Sequence, residues 1–387
     1  MRDVAPLGYD VATLAARGGS DTAREIAQQP AMLRETQAQL LARADEIAAF
    51  LAPLVARPGL RIILTGAGTS AFIGESLAPW LGSRLPCRVE AIATTDLVCA
   101  PELYFERETP TLLVSFGRSG NSPESLAAFD LADRCVSEIH HLVITCNAEG
   151  ALARAVDGSP GRLLIVLPAA THDRGFAMTS SYSCMAWAGL SALSAVDAMQ
   201  ARIGPVAAAV DGVIAQDAPA IRALASHEYE RVAFLGSHLL RGAAREGALK
   251  LMELTNGAVP TLFDSPLGVR HGPKTFITGQ TLVLVFLSND PYTRRYDLDL
   301  LDELRRDGEA ARIVAVSAQG GLEERVDQIR VHGLEAADDV ELMFPFIVVP
   351  QIFAFEQSLR HGLTPDQPNA KGTVNRVVQG VRIHERA

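Results

Sequence analysis

The 387-residue chain lacks several features that would point its chemistry elsewhere. It has no Cys-x-x-Cys pair. Its five cysteines, Cys87, Cys99, Cys135, Cys146 and Cys184, are scattered, which argues against a disulfide frame or a zinc site and fits free thiols in a reducing compartment. It also has no excess of basic residues. With 35 Lys and Arg against 45 Asp and Glu the formal charge is −10, so no general surface for nucleic acid or an anionic membrane is expected, because polyanions are held by clustered cations. The longest apolar runs, such as Thr281–Leu287, are far too short, so no segment is expected to span a bilayer. Met1–Asp10 carries acids and a proline where a signal peptide needs an apolar core. These absences predict a cytoplasmic protein with no nucleic-acid or membrane partner.

What is present suits two hydrophobic cores, since 48 % of the residues are apolar and the length exceeds what one core serves. Met32, Leu33, Leu40, Leu41 and Ile47 recur at helical spacing, which predicts an amphipathic helix over Gln29–Leu54. Short apolar runs follow at Arg61–Thr65, Val89–Ala93, Thr111–Phe116, His141–Cys146 and Leu163–Leu167. Each precedes turn residues and a helical stretch, the pattern of a parallel sheet covered on both faces. The pattern then repeats: RIILTGAG at Arg61 returns as RVAFLGSH at Arg231, and TLLVSFG at Thr111 as TLVLVFL at Thr281, both 170 residues later. LVIT at Leu142 and IVAV at Ile313 follow at 171. Three echoes in register indicate a tandem duplication with its boundary near Ala201–Gln216. From about Gly362 the chain turns polar and proline-rich, too much so for another strand.

Two turns of the first half could receive phosphate. In FGRSGNSPES, Ser122 suits a helix N-cap, Pro123 the first helical position and Glu124 the first turn. Free backbone N–H groups, the helix dipole and the hydroxyls of Ser119 and Ser122 would make a phosphate nest, although the same residues also serve as a plain helix cap. The other turn, GAGTSA at Gly66, fits a dinucleotide fingerprint as well as a phosphate loop, yet it lacks an acid at the end of the following strand. One phosphorylated ligand touching Thr69, Ser70, Ser119 and Ser122 explains both turns.

The second half carries RGAAREGALKLMELTNG, a predicted helix over Arg241–Leu254 closed by Asn256-Gly257. Glu246, Lys250 and Glu253 share one face of it, as a solvated salt-bridge row would, or as a carboxylate placed to move a proton between C1 and C2 of an open-chain sugar. His271 lies in a Gly- and Pro-punctuated loop, and its imidazole is suited to opening a pyranose ring. Lys371 sits in DQPNAKGTVN near the C-terminus.

Taken together, GAGTS, SGNSPES, EGALKLME, RHGP and DQPNAK resemble the sugar isomerase (SIS) domain family in its tandem form, as in the isomerase half of glucosamine-6-phosphate synthase. The likeness is nearest to the galactosamine-6-phosphate deaminase/isomerase branch, also labelled tagatose-6-phosphate ketose/aldose isomerase. It implies two tandem flavodoxin-like three-layer α/β/α domains with parallel sheets, at 29–205 and 206–362, after an N-terminal segment 1–28 and before a tail 363–387 over the active site. It implies phosphate binding by Thr69, Ser70, Ser119 and Ser122, with Glu253 as the C1/C2 base supported by Lys250 and Glu246. His271 would assist ring opening from across a homodimer interface, and Lys371 would match a Schiff-base lysine. The synthase turn Ser-Gln-Ser-Gly-Glu-Thr is replaced here by Gly117-Arg118-Ser119-Gly120-Asn121-Ser122, so Arg118 is a candidate compensating phosphate ligand. The synthase acid three residues before the histidine is Gly268 here. With no glutaminase segment before the tandem, the implied reaction is deamination of galactosamine 6-phosphate to tagatose 6-phosphate without metal or organic cofactor. Alternatives are hexose-phosphate isomerisation, deamination of the gluco epimer, and a sugar-phosphate-binding regulator, although the first sixty residues offer no DNA-binding helix-turn-helix.

Overall fold

The structure is a computed structural model that describes residues 6–384 apart from 157, 323, 324 and 379. Of the acidic opening Met1–Asp10, the first five residues lie outside the described set. The chain forms two compact units. One comprises Ala31–Asp173, Ser180–Ile203 and Lys371–Ala387, and the other Met1–Pro30, Arg174–Thr179 and Gly204–Ala370.

The first-sheet unit contains β1 (Arg61–Thr65), β2 (Arg88–Ala91), β3 (Thr111–Gly117), β4 (Ile139–Thr145) and β5 (Arg162–Val166). They lie in the order β2-β1-β3-β4-β5, with every neighbouring pair parallel. β1 and β3 are buried along their whole length, which is why they read as unbroken apolar runs without alternation. Ile63 and Leu113 pack with Leu97, Ala128 and Ala132 beneath the sheet. Each fully buried Leu, Ile or Val contributes about 1.5–3 kcal/mol.

The single helix expected over Gln29–Leu54 is two helices, Gln29–Leu41 and Ala44–Val55. Arg43 leaves helical geometry at φ −118° and ψ 16° and starts the second helix, its guanidinium forking onto Glu46 at 2.7 and 2.9 Å. The apolar periodicity runs through this break, so it carried no sign of it.

The second-sheet unit repeats the design with β6 (Arg231–Gly236), β7 (Thr261–Asp264), β8 (Thr281–Phe286), β9 (Arg312–Ser317) and β10 (Asp327–Arg330). Their order, β10-β9-β8-β6-β7, all parallel, is the first sheet's order read from the other edge. Arg61 and Arg231 open β1 and β6, and Thr111 and Thr281 open β3 and β8, so the 170-residue offset of the sequence is also the offset of the two sheets.

The 22-residue helix Asp339–Arg360 corrects the reading that no segment is long and apolar enough to cross a bilayer. By length and composition it qualifies, and its apolar window is wholly buried inside the protein. Pro345, Pro350, Glu341 and Glu356 divide it in sequence, which hid it from a search for unbroken runs. It packs on the Leu239–Leu254 helix. Gly247 permits that approach, since a Cβ there would stand 3.0 Å from Pro350 Cγ.

Candidate functional site

The two glycine-containing turns of the first-sheet unit leave the carboxyl ends of neighbouring parallel strands, β1 and β3, where open α/β sheets bind ligands. Gly66 must be glycine, because a Cβ there would meet Ser70 Cβ at 2.6 Å and Ser70 backbone carbon at 2.7 Å. Gly68 follows at φ 55° and ψ −127°, a conformation open to glycine. These two positions turn the chain into the Thr69–Arg84 helix, with Thr69 and Ser70 buried in its first turn.

At the second turn, Ser122 is the N-cap of the Pro123–Cys135 helix with proline at N1, as the sequence suggests. The Ser122 hydroxyl does not cap a backbone N–H but donates to Glu124 Oε2 at 2.6 Å. Ser119 Oγ accepts from the Asn121 amide at 3.2 Å. The turn is braced from the segment after β4: Asn147 Nδ2 donates to Ser119 O at 2.8 Å, and the Ala151 amide to Asn121 Oδ1 at 2.9 Å. Gly120 takes φ 63° with Thr145 Oγ1 3.3 Å from where a Cβ would stand. The result is a rigid loop that leaves Ser119 and Ser122 partly exposed beside the N-terminus of a 13-residue helix, a geometry suited to an oxyanion.

Arg118 is 7 % exposed, and its Nη2 donates to the main-chain carbonyl of Arg376 at 2.7 Å. Arg376 in turn donates through Nε to Asp173 O at 2.7 Å and through Nη2 to the same oxygen. The Asp173 carboxylate is fully buried and accepts from Ser180 Oγ, Ser181 N and Ser181 Oγ at 2.5, 2.9 and 2.6 Å. Burial, with Arg376 and Arg118 nearby, holds the His172 imidazole below its ordinary pKa. Arg376, Asp173 and His172 carry no motif, and the partners are 203 residues apart, so no local signal marked them. Lys371 lies exposed in the same tail.

In the second-sheet unit the predicted helix begins two residues before Arg241, at Leu239, and ends at Leu254. Its charged row is not solvated. Glu246 and Lys250 are both fully buried, and the Glu253 side chain is 24 % exposed. Lys250 Nζ stands 3.3 Å from Glu246 Oε1 and donates to Glu253 Oε2 at 2.5 Å. Burial alone would lower the Lys250 pKa, but Glu246 and Glu253 outweigh it and the value rises, so the ammonium is retained. A buried cation thus fixes the one carboxylate of the row that reaches solvent, an arrangement able to hold a base in a set orientation.

His238 occupies the position 170 residues after Gly68 and shares its conformation, at φ 36° and ψ −111°. Its Nδ1 accepts from the Leu239 amide at 2.9 Å, and its Nε2 lies 3.4 Å from Asp339 Oδ2. Ser288 and Asn289 correspond by the same offset to Arg118 and Ser119, and here the Asp339 carboxylate accepts from Ser288 Oγ at 2.5 Å and Asn289 N at 2.7 Å. Asp297 accepts from Ser237 Oγ at 2.5 Å and Ser288 N at 2.9 Å. Burial pushes both carboxyls above the ordinary aspartate value. At the second sheet, internal carboxylates therefore take up hydroxyl and backbone donors at the carboxyl ends of β6 and β8. His271 is exposed, between the short turns Gly268–Arg270 and Pro273–Phe276, with its backbone amide on Gly268 O at 3.0 Å. Among the described residues no group of three or more His, Cys, Asp or Glu is placed to hold a metal ion.

The SIS domain model matches residues 56–195. D-galactosamine-6-phosphate deaminase AgaS of Escherichia coli is 46 % identical over 382 residues, which span 96 % of this chain and 97 % of the relative. A Streptomyces coelicolor protein whose name assigns that activity provisionally is 49 % identical over 94 % of this chain and 95 % of its own length. The crystal structure of tagatose-6-phosphate ketose/aldose isomerase from Escherichia coli superimposes with a TM-score of 0.88 at 41 % identity, over 99 % of each chain.

Proposed function

The chain belongs to the D-galactosamine-6-phosphate deaminase family of SIS-domain enzymes, and from that premise we propose that it converts galactosamine 6-phosphate and water to tagatose 6-phosphate and ammonia. The phosphate-binding role falls to Thr69, Ser70, Ser119 and Ser122 of the first-sheet unit, with Arg118 adjoining. The internal carboxylates at the corresponding edge of the second sheet support that choice, since an anion there would face Asp297 and Asp339.

The observation that carries the proton-transfer role is Lys250, fully buried and held on Glu253 at 2.5 Å. His271 assists ring opening. Glu253 takes the proton from C2 and returns one to C1, leaving a 2-imino sugar. Water replaces ammonia at the C=N carbon, and the C2 carbonyl of the ketose remains. Lys371, by its likeness to a Schiff-base lysine, adds to C2 of the imino sugar ahead of water, so that ammonia leaves as the C2 iminium to the lysine forms, and the water then hydrolyses that iminium to free the ketose and the lysine. Glu246 keeps Lys250 charged. The chemistry is hydrolytic and needs no cofactor in this reading, and the enzyme works in the cytoplasm as a homodimer, with the exposed His271 given to the partner's site. The domain limits 29–205 and 206–362, with the tail from 363, complete the proposal.

The test is ammonia release from galactosamine 6-phosphate by the wild type and by Glu253→Gln. The variant should lose at least a hundredfold in kcat, and undiminished turnover would remove Glu253 as the base. The isomerase name of the solved Escherichia coli relative favours a second reading, ketose/aldose isomerisation of a hexose 6-phosphate. Ketose formation without ammonia, across galacto and gluco substrates, would select it.

A further inference from the structure

We propose that Arg376 is a positioning residue that latches the C-terminal tail beside the phosphate turn and so sets the place of Lys371; the catalytic half of this statement rests on the reading above. The tail has no helix or strand among its described residues. Apolar burial in it is confined to Pro365 and Pro368 upstream of Lys371; beyond Lys371, Val374 is 53 % exposed, Val378 50 %, Val381 37 % and Ile383 38 %. What fixes it is polar. Arg376 places two N–H groups on Asp173 O, and its own carbonyl accepts from Arg118, the residue immediately before Ser119. The receiving end is rigid, because the Asp173 carboxylate is locked by three donors from Ser180 and Ser181. Upstream the tail has a second anchor, where Asp366 accepts from Thr22 N at 2.7 Å, Thr22 Oγ1 at 2.8 Å and Asp21 N at 3.1 Å. Lys371 stands five residues before Arg376 and two after Asn369, whose Nδ2 donates to Asn256 Oδ1 at 3.0 Å. Releasing Arg376 would free the Lys371 end of the strap and remove the acceptor that now engages Arg118.

The experiment compares full-length wild type, Arg376→Ala and Arg376→Lys. Hydrogen exchange of the backbone amides at 372–378 should quicken about tenfold or more in Arg376→Ala, with the melting temperature little changed. Turnover of galactosamine 6-phosphate should fall about ten- to a hundredfold, the scale of losing hydrogen bonds made by a charged donor. Arg376→Lys, which keeps the charge but not the fork, should recover part of both. Exchange in Arg376→Ala that matches the wild type would overturn the latch. Faster exchange with undiminished turnover would overturn the positioning role. Absence of ammonia from the wild type would count against the proposed reaction instead, and the exchange comparison, which needs no substrate, would still decide the latch.

Discussion

Replacing Lys250 by methionine removes a fully buried ammonium from between two carboxylates while keeping most of its volume. The partner that suffers most is Glu246, also fully buried, whose nearest cation in the row stands 3.3 Å away. Removing one member of a buried pair strands the other charge, at a cost of about 3–5 kcal/mol. For a unit of this size that corresponds to a fall of roughly 6–20 °C in the midpoint of thermal unfolding. With the Lys250 ammonium gone from 3.3 Å away, Glu246 would favour its neutral form more strongly, so its folded pKa would rise, and the deficit should shrink as pH is lowered and stay full above the raised value. Adding Glu246→Gln removes that buried charge and should restore most of the stability. It should not restore activity, because Glu253 would still lack the cation that orients it. Thermal unfolding of the single and double variants at pH 7 and pH 5.5, with ammonia release on both, separates the two roles. A Lys250→Met protein that melts within 2 °C of wild type, about the shift expected for a sub-kilocalorie effect, would refute the buried-pair reasoning. An active double variant would refute the orienting role.

Three other outcomes follow from the same contacts. Ser119→Ala should raise KM for the sugar phosphate about tenfold or more, the scale of a lost hydrogen bond to a charged group, with kcat less affected; an unchanged KM in steady-state kinetics would take Ser119 out of the phosphate site. Gly66→Ala puts a Cβ 2.6 Å from Ser70 Cβ, so it should destabilise by about 1–3 kcal/mol and weaken inhibition by inorganic phosphate, whereas wild-type inhibition would show that the turn does not bind the anion. Lys250 has a folded pKa above the ordinary lysine value of 10.5, so its contribution to stability is complete below that value and is lost as pH rises through the folded one. The unfolding midpoint in Lys250→Met should therefore lack the part of the alkaline fall that Lys250 causes in the wild type, and identical alkaline profiles would contradict this.

Much of the fold was legible because both sheets are parallel and covered, so their central strands are unbroken apolar runs between turn residues. The duplication was legible for the same reason: Arg61 and Arg231, and Thr111 and Thr281, open equivalent strands. The Glu246–Lys250–Glu253 row could be placed on one face from its spacing, but spacing does not say whether that face meets water. Its burial follows from Gly247 and the close approach of Pro350 on a helix about a hundred residues later. That helix, Asp339–Arg360, was itself obscured by two prolines inside it. Gly68 and His238 show the limit most clearly. Their common backbone conformation is visible in φ and ψ, yet a glycine and a histidine share no sequence sign of it. Arg376 and Asp173 meet across 203 residues through a side chain and a carbonyl, a contact for which neither residue type is distinctive.

The most direct measurement is a coupled assay of ammonia and ketose on the purified full-length protein with galactosamine 6-phosphate, run beside Glu253→Gln and beside glucosamine 6-phosphate, fructose 6-phosphate and tagatose 6-phosphate. The expected result is equimolar ammonia and tagatose 6-phosphate from the galacto substrate, collapsing at least a hundredfold in the variant. Ammonia from neither amino sugar, or equal release by Glu253→Gln, would contradict it.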